Sequence, residues 1–363
     1  MGNQKIWRTY GKKFINRYLI DGLSGMALGL FSTLIIGTIL KQMGSFFEDL
    51  WIGKLLITLG QLGTVMTGVG IAVGVAHQLK ASKLVLYSSI VNGLVGAYSA
   101  NLVSGAIVTE SGILLNGPGD PLGAFVSAVV GIEVGRLVAG KTKLDMLLAP
   151  AVTIISGSTL SYLVGPLLSH LTTLLSEFIK AAVTLQPFLM GMFVSVAMGI
   201  FLTLPISSAA IGVILNLSGI AGGAATAGCC AQMIGFAIMS YRENRVNGLV
   251  AQGLGTSMLQ MPNIIKNPKI WIPPILASAI TGPIASVVFQ LENVATGSGM
   301  GTAGLVGPLL MWQTMMSQGA NPSVLFLEIL LVCFVLPGML TWGFAEVLRK
   351  MNWIKANDLQ LEL

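Results

Sequence analysis

Uncharged polar residues gather in the second half of this 363-residue chain. Ser207 and Ser208 stand in LPISSAAIG, and Gln252, Ser257, Gln260 and Asn263 in AQGLGTSMLQMPN. Each offers hydrogen-bond donors and acceptors without a formal charge, the chemistry that replaces the hydration of a sugar, polyol or other polar solute. Singly, such groups also serve hydrogen bonds between neighbouring helices. Their clustering among Gly and Pro, beside backbone that regular helix cannot satisfy, is what points to binding. Glu292, where a long apolar run meets the glycine-rich stretch 297–304, is the acidic candidate, as a solute contact or as a carboxylate at a membrane edge.

The other ionisable groups read as structural. Glu133 and Arg136 are three residues apart on one helix face and suit an internal ion pair better than a ligand site. Asp120 precedes Pro121, the pattern of a helix N-cap followed by Pro at the first helical position. His77 closes an apolar run near the interface, within reach of solvent. With His77 and His170 the only histidines, no Ser/His/Asp set forms. There is no Walker A loop and no HExxH, and GSGMGTAG does not follow a strand in a βαβ unit. Cys229, Cys230 and Cys333 lie inside apolar segments and read as small packing residues, without metal or disulfide spacing. Neither catalysis nor a metal nor a cofactor is expected.

The elements that must position the polar cluster follow from composition. Charged residues are 9% of the chain and hydrophobic ones 54%, whereas soluble domains carry about 25% charge. A chain this apolar cannot cover itself with a polar shell, so an all-α polytopic membrane protein is expected, in contact with lipid. The formal charge of +6 sits in short clusters between apolar runs, as in cytoplasmic loops, and does not point to nucleic acid. Residues 4–17 interleave Lys and Arg with Ile, Trp, Tyr and Phe, a basic amphipathic segment for the membrane surface that puts the N-terminus in the cytoplasm. No cleavable signal peptide is expected.

Apolar runs near the ~20 residues of a bilayer crossing lie at about 19–41, 54–79, 83–108, 121–140, 146–168, 187–204, 222–240, 270–291 and 323–348. Lys80/Lys83, Arg136/Lys141/Lys143, Arg242/Arg245 and Arg349/Lys350/Lys355 mark cytoplasmic edges. Segments 205–221, 247–268 and 293–310 are apolar but broken by Gly, Pro and polar residues, and read as re-entrant hairpins or discontinuous helices. Segment 167–186 reads as an interfacial amphipathic helix. The expectation is about 9–10 transmembrane helices plus re-entrant helical hairpins. The division expected is an amphipathic segment over 1–18, a transmembrane scaffold over 19–186, a substrate-binding domain over 187–348 and a cytoplasmic tail over 349–363.

Three longer strings carry a resemblance. PLGAFVSAVVGIEVGRLVAGKTKLDMLLAPAVTIISGSTLSYLVGPLLSHL, LPISSAAIG and GTSMLQMPNIIKNPKIWIPPILASAITGPI resemble, in order and rhythm, the membrane component (EIIC, or IIC) of the bacterial phosphotransferase system, fructose-type branch. The resemblance covers most of residues 20–345. GTSMLQMPNIIKNP and GMGTAGLVGP more closely resemble an EIIC-like group that includes the perfringolysin regulator (PfoR) proteins. Two positions depart from the family pattern. Its acidic, sugar-binding residue falls on Met258, and its polar pair on Ser207-Ser208.

The resemblance implies a homodimer in the bacterial cytoplasmic (inner) membrane whose first spans form the interface. A later transport domain would carry two re-entrant hairpins around one small polar solute. Phosphorylation would belong to separate IIA and IIB proteins. It also implies an alternative, a membrane sensor or regulator of gene expression, or a carrier working without phosphorylation.

Overall fold

The structure is a computed structural model that describes residues 13–109, 112–115 and 117–361. The all-α polytopic architecture expected from composition is the one observed. In the first half run helices α1 (Ile15–Ser45), α2 (Trp51–Val65), α3 (Thr67–Gln78), α4 (Lys83–Ala97), α5 (Pro121–Val138) and α6 (Asp145–Val183). In the second run α7 (Pro187–Thr203), α8 (Ser208–Ile214), α9 (Gly219–Met239), α10 (Tyr241–Val250), α11 (Pro268–Val288), α12 (Val306–Ser317) and α13 (Pro322–Lys350).

Among the described residues, six helices are long and apolar enough to cross a bilayer, or seven if α2 and α3, bent by 53°, form one span. That is fewer than the nine or ten expected. The difference lies in α4 and α7, whose expected spans are cut short. Helical geometry ends at Tyr98 (φ −111°, ψ 19°), well before residue 108. Pro205 forces Leu204 into extended backbone and stops α7. At 1.5 Å per residue, α4 reaches only about 22 Å against a hydrocarbon core of about 30 Å. Segment 167–186 is not a separate interfacial helix, since through Val183 it continues α6, a 39-residue helix with Pro150 and Pro166 inside. One proline removes a single backbone donor, which bends a long helix more readily than it ends it. The amphipathic segment expected over 4–17 lies, up to residue 12, outside the described residues.

The chain divides into two compact units. One comprises the residues up to Gly37 together with Thr58–His170; the other comprises Thr38–Ile57 and Leu171–Leu363. In the first unit α1 crosses α3 on small residues. A Cβ on Gly25 or Gly29 would run into the α3 backbone at Gly74 or Gly70, so these positions let two backbones approach as membrane helices do. Asn92 of α4 ties α6 in, donating from Nδ2 to the Thr153 carbonyl at 2.8 Å and accepting from Ser158 Oγ at 3.3 Å. Asp120 caps α5 by accepting from Leu122 N (3.2 Å) and Gly123 N (3.1 Å). A small antiparallel ladder pairs Val108–Thr109 with Gly112–Ile113.

The second unit is organised around α9. Its run of Gly, Ala and Cys (GGAATAGCCA) leaves room for α7, α11 and α13 to pack on it, and 89% of its apolar window is buried. All three cysteines are buried free thiols. The broken segments fold as short turns of helix. They include α8, Ala251–Gly255, Ser257–Gln260, Met261–Lys266, Ala295–Ser298 and Ala303–Leu305. Beyond α13, residues up to Leu361 are not a free tail. Ile354 is 3% and Leu359 0% exposed.

Candidate functional site

The broken segments meet inside the second unit. Ser208 donates from Oγ to the Gly299 carbonyl at 2.7 Å, and Thr302 from Oγ1 to the Gly253 carbonyl at 2.5 Å. Segments 205–221, 247–268 and 293–310 are thus stitched together through 299–302. The approach at Gly299 leaves no space for a side chain, since a Cβ there would strike the Ser208 carbonyl. Backbone that leaves regular helix must find partners when buried, and each segment supplies them to another.

Beside this junction lies a buried seam of uncharged polar groups. Thr203 Oγ1, at the end of α7, lies 2.8 Å from Ser257 Oγ and donates to Gln232 Oε1 at 3.2 Å. Trp271 Nε1 donates to the same Gln232 oxygen at 3.0 Å. An indole N–H can only donate, so the amide atom facing it must be the oxygen, and this sets which way the Gln232 side chain is turned. Its Nε2 is then left buried with no partner. Gln232, Thr203 and Ser257 are all 0% exposed. A buried donor left unpaired costs about 1–3 kcal/mol. The seam therefore holds an unspent N–H pair at the place where the broken segment 251–260 abuts α7 and α9.

Of the residues expected to contact solute, only Ser257 belongs to this seam. Ser207 caps α8, its Oγ accepting from Ala210 N at 3.2 Å. Gln252, Gln260 and Asn263 form a separate relay. Gln252 Nε2 donates to Ser240 Oγ (2.8 Å), Gln260 Nε2 to Gln252 Oε1 (2.9 Å), and Asn263 Nδ2 to Gln260 Oε1 (2.9 Å). Gln260 and Asn263 also reach the main-chain carbonyls of Leu359 and Gln360. Glu292 is half-buried and accepts from Gln318 Nε2 at 2.8 Å, while its N–H donates to Met315 Sδ at 3.3 Å. Its neighbour Asn293 is fully buried, donating to Thr226 Oγ1 (2.8 Å) and to the Gly307 carbonyl (3.0 Å). In the first unit Glu133 Oε1 meets Arg17 at 2.6 Å and Arg136 at 3.4 Å.

Sequence reasoning therefore missed Thr203, Gln232, Trp271 and Asn293. A signal existed for Gln232, the one amide in the run AATAGCCAQMIGFAI, because a lone amide in an apolar helix needs a partner in the bundle. Nothing in the sequence marks Trp271, whose ring nitrogen is brought to Gln232 by the turn Pro268–Trp271.

A cluster of ion pairs lies where the ends of α9, α10 and α13 meet. Arg349 donates to Glu346 Oε1 (2.8 Å) and to the Met239 carbonyl (2.6 Å) and lies 3.8 Å from Glu243; Arg242 pairs with Glu346 at 3.0 Å. Burial pushes the Glu243 carboxyl above the usual carboxylate range, and nearby Arg349 opposes the shift only in part. Burial likewise raises Asp120, against the two backbone N–H bonds of its cap.

The family described as "Phosphotransferase system, EIIC" matches the chain over residues 20–361. No curated protein matches it.

Proposed function

The chain belongs to the phosphotransferase system EIIC family, and we propose that it serves as the membrane permease component for a small uncharged polar solute. The observation that carries this reading is the seam. It offers two hydroxyls and a spare amide N–H pair on uncharged, fully buried side chains, with a broken segment of short helical turns as one wall. A solute hydroxyl or carbonyl would accept from Gln232 Nε2, while Thr203 and Ser257 exchange their mutual bond for bonds to solute. An ion would have no counter-charge there, and burying it unpaired is strongly unfavourable.

Release would need the wall at 251–260 to move, as in carriers whose discontinuous helices expose one site to each side in turn. In this reading the second half of the chain, from residue 187 to 348, is the transport part. Residues 19–186 are the scaffold, whose first spans pair two copies of the chain. The basic clusters support this reading with the N-terminus and the 349–361 end on the cytoplasmic side of a bacterial inner membrane. Phosphorylation of the solute belongs to separate IIA and IIB proteins.

The test is ligand-induced stabilisation of the purified protein across sugars, polyols and nucleosides, followed by Gln232→Met. Loss of one or two hydrogen bonds predicts a roughly 10-fold or greater weakening of binding. Unchanged stabilisation in Gln232→Met and in Ser257→Ala together would remove the seam as the solute site. A second reading, a sensor that keeps the carrier fold, is favoured by Met258 standing where the family's acidic residue falls. Solute uptake into liposomes by the purified chain would count against it.

A further inference from the structure

Residues 353–361, WIKANDLQL, follow the basic end of α13 and fall in the stretch expected to form a cytoplasmic tail. They are instead held at almost every step. Asn357 takes a left-handed turn (φ 68°), a conformation asparagine tolerates better than most residues. The Asp358 carboxylate closes the loop by accepting from Lys355 N at 2.8 Å. The turn leaves Ile354 and Leu359 as two buried aliphatic anchors.

The partners of this segment are side-chain amides, and they read its main chain. Asn244 donates from Nδ2 to the Leu359 carbonyl (2.7 Å) and accepts Leu361 N on Oδ1 (2.8 Å), the two-way pairing that one strand would give another. Gln260 Nε2 reaches the same Leu359 carbonyl (3.0 Å), Asn263 Nδ2 the Gln360 carbonyl (2.8 Å), and Asn267 Nδ2 the Trp353 carbonyl (2.9 Å). Asn267 also donates to Asp358 Oδ2 (2.7 Å), and the Lys269 ammonium sits 4.7 Å from the Trp353 ring centre. Main-chain bonds with two apolar anchors are how peptide-binding grooves work.

These amides lie on both sides of one feature. Asn244 precedes the broken segment 251–266, Asn267 follows it, and Gln260 and Asn263 lie inside it. Ser257, the wall of the polar seam, is three positions from Gln260. We propose that Asn244, Gln260, Asn263 and Asn267 form a peptide-reading groove, that the chain's own segment 353–361 is its occupant, and that this occupant clamps the broken segment against movement. The groove stands on its own contacts; only its effect on solute access rests on the permease reading above.

Two measurements test the clamp without reference to transport. In full-length protein, Leu359→Asp places a carboxylate where a leucine is fully buried. Amide exchange across 252–267 is expected to accelerate about tenfold or more while α9 keeps its protection, because the clamp is local. A labelled peptide of residues 352–361 is expected to bind saturably to a chain ending at Met351, to restore slow exchange over 252–267, and to lose binding when it carries Leu359→Asp. Should the shortened chain lose α9 protection and so fail to fold, full-length Leu359→Asp and Asn244→Ala decide by the same exchange readout. Unaltered exchange over 252–267 in both full-length variants, or no peptide binding to a folded shortened chain, overturns the proposal. Unchanged solute binding with faster exchange would leave the groove in place and separate it from the permease reading.

Discussion

Gln232 and Glu243 show how differently two buried polar side chains behave. The amide of Gln232 is neutral, so it can remain buried with one end unpaired at moderate cost. The carboxylate of Glu243 also keeps one oxygen buried without a hydrogen-bond partner, but it is ionisable, so burial raises its pKa instead. Between the usual carboxylate range and its raised value, the folded state binds more protons than the unfolded one, so stability falls as pH rises. Glu243→Gln should flatten the decline in melting temperature that sets in as pH rises above the usual carboxylate range. The charges facing Glu243 are Arg349, Arg242 and Asp358. Arg349 keeps Glu346 and the Met239 carbonyl in the variant, so its own burial is not left uncompensated. An equally steep decline in the variant would place the titrating group elsewhere.

At the scale of elements, the second unit trades helix length for contact between broken pieces. Proline ends α7, glycine admits the Ser208 carbonyl at residue 299, and the freed backbone groups are satisfied across segments. Gly299→Ala would drive a methyl group into that carbonyl and break the Ser208 bond. Overpacking of this kind costs about 1–3 kcal/mol, read as a lower melting temperature in detergent. Gly343, in α13, has open space where its Cβ would lie. Gly343→Ala should be neutral or stabilising, because alanine is the better helix former. If both variants melt alike, the close approach at 299 is not a structural requirement.

For the molecule as a whole, orientation is the property most directly tied to function. The basic residues Arg242, Arg349 and Lys350, with Lys355 beyond them, predict a cytoplasmic placement for that end of the second unit by the positive-inside rule. The native thiols are buried, so Lys355→Cys, at an exposed position, would be the main site open to a membrane-impermeant maleimide. Labelling is expected in inverted vesicles and not in intact cells stripped of their outer layers. The reverse pattern would turn the topology over.

The membrane class, the helical architecture and the three broken segments were legible in the sequence, because apolarity, charge scarcity and Gly/Pro placement are local properties of the chain. Ser257 was legible too, as a polar group on a broken segment. What tertiary structure alone decided was pairing. Gln260 and Asn263 carry the same amide chemistry as Gln232, yet the fold spends their hydrogen bonds on a C-terminal segment 97 or more residues away in sequence and leaves Gln232 Nε2 with none. Composition states which donors and acceptors a chain owns. Which of them remain unspent depends on distances between residues far apart along it, and those exist only once the chain has packed.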